Sequence, residues 1–151
     1  ARVCEGAERQ SIDERHSVNL QGHFEQTDEA IAMAAMYTAC QMKASAILAL
    51  TESGSTAIWM SRAGTQIPIY ALTRHERTRR RMALCRGVAS IAFDPEVAHG
   101  LAPVGEALDC LTSNGVLKTG DRVLITSGDG TGPGGTNTLK IVTVGQWIKP
   151  D

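Results

Sequence analysis

The stretch "RVLITSGDGTGPGGTNTLKIVTV" (Arg122 to Val144) decides how this chain folds. Two apolar runs rich in β-branched residues, Arg122 to Ser127 and Thr138 to Val144, flank a link of Gly, Thr, Asp, Pro and Asn. Runs of that composition bounded by glycine and proline read as strands. A parallel return would need a crossover of a dozen residues or more, usually a helix. The link here is ten residues without helix formers, so the last strand must lie antiparallel to the one before it.

Toward the N-terminus the pattern changes. "SAILAL" (Ser45 to Leu50), "IPIYAL" (Ile67 to Leu72) and "VASIAF" (Val88 to Phe93) are short, continuous apolar runs, the signature of strands buried on both faces. Helical periodicity fills the segments around them. Thr27 reads as the cap of a first helix with Asp28 and Glu29 in its first turn and Ile31, Ala34, Ala35, Thr38 and Met42 along one side. Further helices are expected from about Gly54 to Ala63, His75 to Leu84 and Val97 to Asn114, the last closed by Gly115 before the turn "KTGD". Alternating strands and helices imply an α/β fold with a sheet covered on both sides. Residues 1 to 20 are polar and aperiodic and read as a lead-in, which leaves residues 21 to 151 as one domain.

The bulk composition narrows the function. With 151 residues, 42% hydrophobic and 21% charged, the chain can bury one ordinary core. A net charge of −1 gives no overall attraction to nucleic acid or anionic membrane. The longest apolar stretch, Ala30 to Met42, is shorter than the ~20 residues that span a bilayer, and the charged start has no signal core; a cytoplasmic location is expected. Cys4, Cys40, Cys85 and Cys110 are far apart with no histidine at ligand spacing, which speaks against zinc. They read as reduced thiols, Cys40 and Cys110 as small buried hydrophobes. His16, His23, His75 and His99 have no nucleophile at a telling spacing and read as surface or capping residues. The run "RHERTRRR" (Arg74 to Arg81) holds five arginines but no interleaved aromatics, so it reads as a solvated or subunit-contact helix face and not as a nucleic-acid surface. Trp59 and Trp147 read as packing or interface residues.

Two segments carry candidate chemistry. Thr51, Glu52, Ser53, Gly54, Ser55 and Thr56 lead from a strand into a helix, and hydroxyls at a helix start suit a phosphate as well as they suit an ordinary N-cap. The link beginning at Ser127, Gly128, Asp129 and Gly130 and running through Gly132, Gly134, Gly135 and Thr136 holds five glycines. It reads either as a mobile hairpin loop or as backbone that approaches a ligand closely. If "SAILAL" and "RVLITS" are neighbours where the strand order reverses, both segments open on one crevice.

The strings "ARVCEGAE", "EAIAMAAMYTA", "TESGSTA", "TRHERT...LCRGV" and "LKTGDRVLITSGD...GGTNTLKIVTVG" occur here in order along nearly the whole chain. Together they resemble the C-terminal domain of bacterial pyruvate kinases. The resemblance implies a three-layer α/β/α fold with strand order 3-2-1-4-5 and the last strand antiparallel. It also implies an allosteric site for a sugar phosphate or nucleotide, with Thr51 to Thr56 as the phosphate pocket and Ser127 to Thr136 as the effector loop. The barrel that holds phosphoenolpyruvate, magnesium, potassium and ADP in that family has no counterpart in these residues, so no catalytic residue, metal or cofactor is expected in this chain. Expected partners are the chain's own barrel domain and further copies in a tetramer, with no nucleic acid and no membrane. Members that bind fructose bisphosphate commonly carry a lysine at the position of Glu52 and a basic residue near Pro103; both charges are missing here, which points to a monophosphate such as AMP or a sugar monophosphate. The alternative is a stand-alone phosphate-ligand binding protein of the same fold.

Overall fold

The computed structural model describes residues 23–95, 102–128 and 135–146. The lead-in 1–20, the start of the last helix near Val97, the middle of the glycine-rich link and Trp147 lie outside the described residues. Within them the order is α1 (Thr27–Met42), β1 (Ala46–Leu50), α2 (Ser55–Ala63), β2 (Ile69–Thr73), α3 (Glu76–Met82), β3 (Val88–Ala92), α4 (Ala102–Ser113), β4 (Arg122–Gly128) and β5 (Thr136–Thr143). The five strands form one sheet in the order β3-β2-β1-β4-β5. The pairs β1/β2, β2/β3 and β1/β4 are parallel, and β4/β5 is antiparallel, as the short link between them requires.

The central strand β1 is apolar on both sides because both sides are covered. Ala46 and Leu48 pack with Val123, Ile125, Val104, Leu108 and Leu111 beneath α4. Ile47 faces the opposite layer with Leu124, Met36 of α1 and Met60 of α2. Ala49 meets Ala57 of α2, Ala71 of β2 and Met82 of α3; small side chains in that row let the start of α2 come close to the sheet. Full burial of residues such as Ile47, Leu48 and Ile125 contributes about 1.5–3 kcal/mol each, which makes the β1/β4 pair the mechanical centre of the domain. Among the described residues no helix is long and apolar enough to cross a membrane.

Several local expectations are corrected. Thr27 is the first residue of α1 and not its cap; Gln26 takes that position with an extended backbone and no side-chain hydrogen bond. Helix α1 stops at Lys43, a left-handed residue whose N–H reaches the carbonyls of Ala39 and Cys40. Strand β2 starts at Ile69 because Pro68 has no N–H to give the ladder, although its carbonyl already accepts the N–H of Ile47 at 3.0 Å. Helix α3 is shorter than its apolar and basic pattern suggests. Strand β5 begins earlier, at Thr136, after a bulge that pairs Gly128 with Thr136. Cys40 and Cys110, like Cys85, are free but only half-buried. Gly115 does close α4 in the left-handed conformation.

Candidate functional site

The chain leaves β1 toward β2 on one side and returns to β4 on the other, so the order reverses between β1 and β4. Segments leaving the carboxyl ends of those strands open on a shared crevice. A hydroxyl pair shows that the two candidate segments meet there: Thr56 Oγ1 and Thr136 Oγ1 are 2.7 Å apart, in a buried contact. Thr136 is in turn fixed across from Gly128 by the bulge.

The entry to α2 is built by its own hydroxyls. Thr51 Oγ1 accepts the N–H of Gly54 at 2.8 Å, and Ser53 Oγ accepts the N–H of Ser55 at 3.3 Å while donating to Ser55 Oγ. Gly54 occupies the cap position at φ +81°, where glycine is favoured. A Cβ there would lie 2.6 Å from Met82 Cε and 3.2 Å from Thr78 Cγ2, so Gly54 also allows α2 and α3 to approach each other. Having no side chain, Gly54 makes no cap bond of its own. Ser53, one residue earlier, takes the first helical amide, that of Ser55, while Thr51 closes the turn before it. Thr56 and Ala57, whose amides have no intrahelical acceptor, are fully buried. Unlike α1, α2 has no acidic residue in its first turn to meet the helix dipole.

Thr126 lies on the neighbouring strand, β4. It is fully buried on β4, and its Oγ1 is the buried side-chain oxygen without a hydrogen-bond partner among the described residues. Thr126 stands opposite Ala49 in the parallel β1/β4 ladder. Opposed residues share a face, and Ala49 packs against Ala57 at the start of α2. Thr126 therefore lies on the sheet face that Ala57 covers beside it.

Glu52 is not the bare negative charge that its position in the sequence suggests. Its Oε1 is 3.5 Å from Arg74 Nη2, and its Oε2 is hydrogen-bonded to His75 Nε2. Its carbonyl accepts Thr78 Oγ1 at 2.7 Å. All three charged side chains are about half exposed. The turn after β2 thus brings Arg74 and His75 to the loop after β1, which sequence reasoning missed because Glu52 and Arg74 are far apart along the chain. The signal that could have found them is the adjacency of β1 and β2, which aligns the segments following them.

The remaining arginines of the basic run are partly committed. Arg79 donates to the carbonyls of Thr73 and Arg74, and Arg80 pairs with Glu76 one turn away. His75 is at the cap position of α3, as capping or surface residues go, with its ring turned to Glu52. Trp59 packs at the margin of the α1/α2 core with the Arg62 guanidinium 5.3 Å from its ring centroid. Of the glycine-rich link, Ser127 and Gly128 end β4, Gly135 precedes β5 and Thr136 opens it, whereas Asp129, Gly130, Gly132 and Gly134 lie outside the described residues. Among the described residues no three His, Cys, Asp or Glu side chains gather as a metal site would need.

Comparison with known proteins agrees with this architecture. Residues 29–142 match the family model described as "Pyruvate kinase, alpha/beta domain". The chain is 45% identical over 148 residues to pyruvate kinase II of Salmonella typhimurium strain LT2. It is 42% identical over 148 residues to pyruvate kinase of Buchnera aphidicola subsp. Schizaphis graminum and 39% identical over 150 residues to that of Haemophilus influenzae strain Rd. Each alignment takes in 95% of this chain and 30% of the relative, so the chain spans just under a third of the length of these proteins.

Proposed function

Because the chain belongs to the pyruvate kinase alpha/beta domain family, we propose that it is the regulatory C-terminal domain of a pyruvate kinase, the glycolytic enzyme that moves a phosphoryl group from phosphoenolpyruvate to ADP. In this reading a barrel domain elsewhere in the parent protein carries the chemistry, with magnesium and potassium, in the cytoplasm. This chain supplies the site for a phosphorylated effector and part of a tetramer interface.

The observation that carries the reading is the buried start of α2, where the cap residue Gly54 has no side chain, joined to β5 through Thr56 and Thr136. An anion placed there receives first-turn amides, the positive end of the helix dipole and hydroxyls of Ser53 and Ser55. A monophosphate, AMP or a sugar monophosphate, matches this single cluster of donors. In this reading Ser127 to Thr136 is the effector loop; its described ends, Gly128 and Thr136, are paired across the bulge. Self-association is supported by the β5 edge of the sheet, where Ile141 is 47% exposed, and by Tyr37 on the adjoining α1, which is 44% exposed. An unpaired edge with apolar neighbours is a ready surface for a second chain.

Calorimetric titration of the chain with AMP and with sugar monophosphates tests the reading. Ser53→Asp puts a fixed negative charge beside the phosphate and should weaken binding about tenfold or more, about 1.4 kcal/mol. Equal affinities in the two proteins would mean that the loop only turns the chain into α2. Supplied with phosphoenolpyruvate, ADP, magnesium and potassium, the chain alone should show no turnover above a mock-purified control.

A further inference from the structure

We propose that the Glu52 carboxylate is an internal stand-in for the ligand's anion: it occupies Arg74 and His75 in the ligand-free protein, and a phosphate must displace it to bind fully. This rests on the reading of Thr51 to Thr56 as a phosphate site and adds to that site Arg74, His75 and a built-in competitor. A guanidinium beside a ring N–H offers the same set of donors to a carboxylate as to a phosphate oxygen pair. Here a carboxylate of the chain itself takes those donors.

The contact is arranged so that the side chain can leave without the backbone. Arg74 and His75 sit on a fixed turn: His75 N–H donates to Thr73 Oγ1 at 3.2 Å, and Arg79 Nη1 donates to the carbonyl of Arg74 at 3.2 Å. The carbonyl of Glu52 is clamped to α3 by Thr78 Oγ1, which is itself mostly buried. What is left free to swing is the half-exposed Glu52 carboxylate. The neighbouring charges do not replace it, since Glu76 is paired with Arg80 on the outer side of α3.

The consequence is selectivity by charge. A ligand with one negative charge merely exchanges with Glu52, whereas a phosphate dianion gains from the released cations as well as from the α2 amides. The carboxylate then acts as a threshold on phosphate affinity and not as a fixed repulsion.

The test is titration of the 151-residue chain with inorganic phosphate, followed by calorimetry, in a cycle of Glu52→Gln, Arg74→Ala and the double variant, with melting curves confirming that each is folded. Glu52→Gln should bind phosphate about three- to fivefold more tightly than the parent. In the Arg74→Ala background the same change should give less than half of that gain, because one of the released cations is gone. A gain of equal size with and without Arg74 would show that Glu52 acts only as a nearby like charge, and would overturn the inference. Unchanged affinity in Glu52→Gln, while Ser53→Asp still abolishes binding, would overturn it and leave the phosphate site standing. Absence of phosphate binding in every protein would overturn both.

Discussion

At the amino ends of the strands the turns close on their own groups. Asp121 accepts the N–H of Lys118 at 2.8 Å and the hydroxyl of Ser45 at 3.1 Å, tying the start of β4 to the start of β1. Ser45 N–H reaches the carbonyl of Arg122, and Gly120 N–H that of Val144. At the carboxyl ends the same sheet behaves differently: the cap residue of α2 has no side chain, Thr126 keeps an unanswered hydroxyl and Glu52 holds Arg74 and His75 by an exposed contact. One sheet and one core support both ends, so fold stability does not demand the second arrangement. The difference marks the carboxyl end as the less fully satisfied of the two.

The sharpest way to break this comparison is at the anchor of the glycine-rich link. A Cβ on Gly128 would fall 2.2 Å from the carbonyl oxygen of Gly135 and 2.7 Å from its carbon, both of them backbone. Gly128→Ala must therefore open the β4/β5 closure, with an expected loss of about 3 kcal/mol in urea unfolding. Gly115→Ala at the other end meets open space and carries only its left-handed φ of +71°, a cost of about 1 kcal/mol. Similar losses in the two variants would show that the carboxyl end is no more tightly built than a surface turn.

Gly54→Ala should come next, at about 2 kcal/mol, since it combines a left-handed φ with a contact that only the flexible end of Met82 can relieve. The same variant should lose phosphate affinity, because α2 and α3 move apart under the loop. Asp121→Ala supplies the counterpart. It should lower stability by about 1 kcal/mol through the lost turn hydrogen bonds and leave phosphate affinity unchanged. A drop in affinity there would mean that the two ends are coupled through β1 and β4.

How much of this was legible in sequence follows from range. The antiparallel end of the sheet is readable because ten residues of glycine and proline cannot form a crossover, and β1 is readable because a strand covered on both faces is apolar throughout. The resemblance supplied the strand order, which the pairing of β1 with both β2 and β4 bears out. The site was half legible. Its loops are local motifs, but the Thr56/Thr136 pair spans 80 residues and the Glu52 clasp joins segments that meet only after β1 and β2 align. Sequence therefore presented Glu52 as a carboxylate in the phosphate pocket where a lysine is missing, and Arg74 as one of a basic run. Nor could it show that the hydroxyls of Thr51 and Ser53 serve the loop's own amides, which depends on the φ of Gly54.

The smallest expected effect is the most pointed, because its sign is opposite to that of most core substitutions. Thr126→Val replaces a buried, unpartnered hydroxyl with a methyl of nearly the same shape in the middle of a strand. Removing a polar group that has given up water without gaining a partner relieves part of its desolvation cost, and valine suits a strand as well as threonine does. The ligand-free chain should gain roughly 0.5–1 kcal/mol in thermal or urea unfolding. Thr126→Ser, which keeps the hydroxyl and removes the methyl, should instead lose about 1 kcal/mol through the small cavity. Phosphate should narrow the gap between Thr126→Val and the parent, since a ligand that satisfies the hydroxyl stabilises only the protein that has one. Destabilisation by Thr126→Val without ligand would mean that the hydroxyl is already satisfied in solution, and the carboxyl end of the sheet would then be as complete as the amino end.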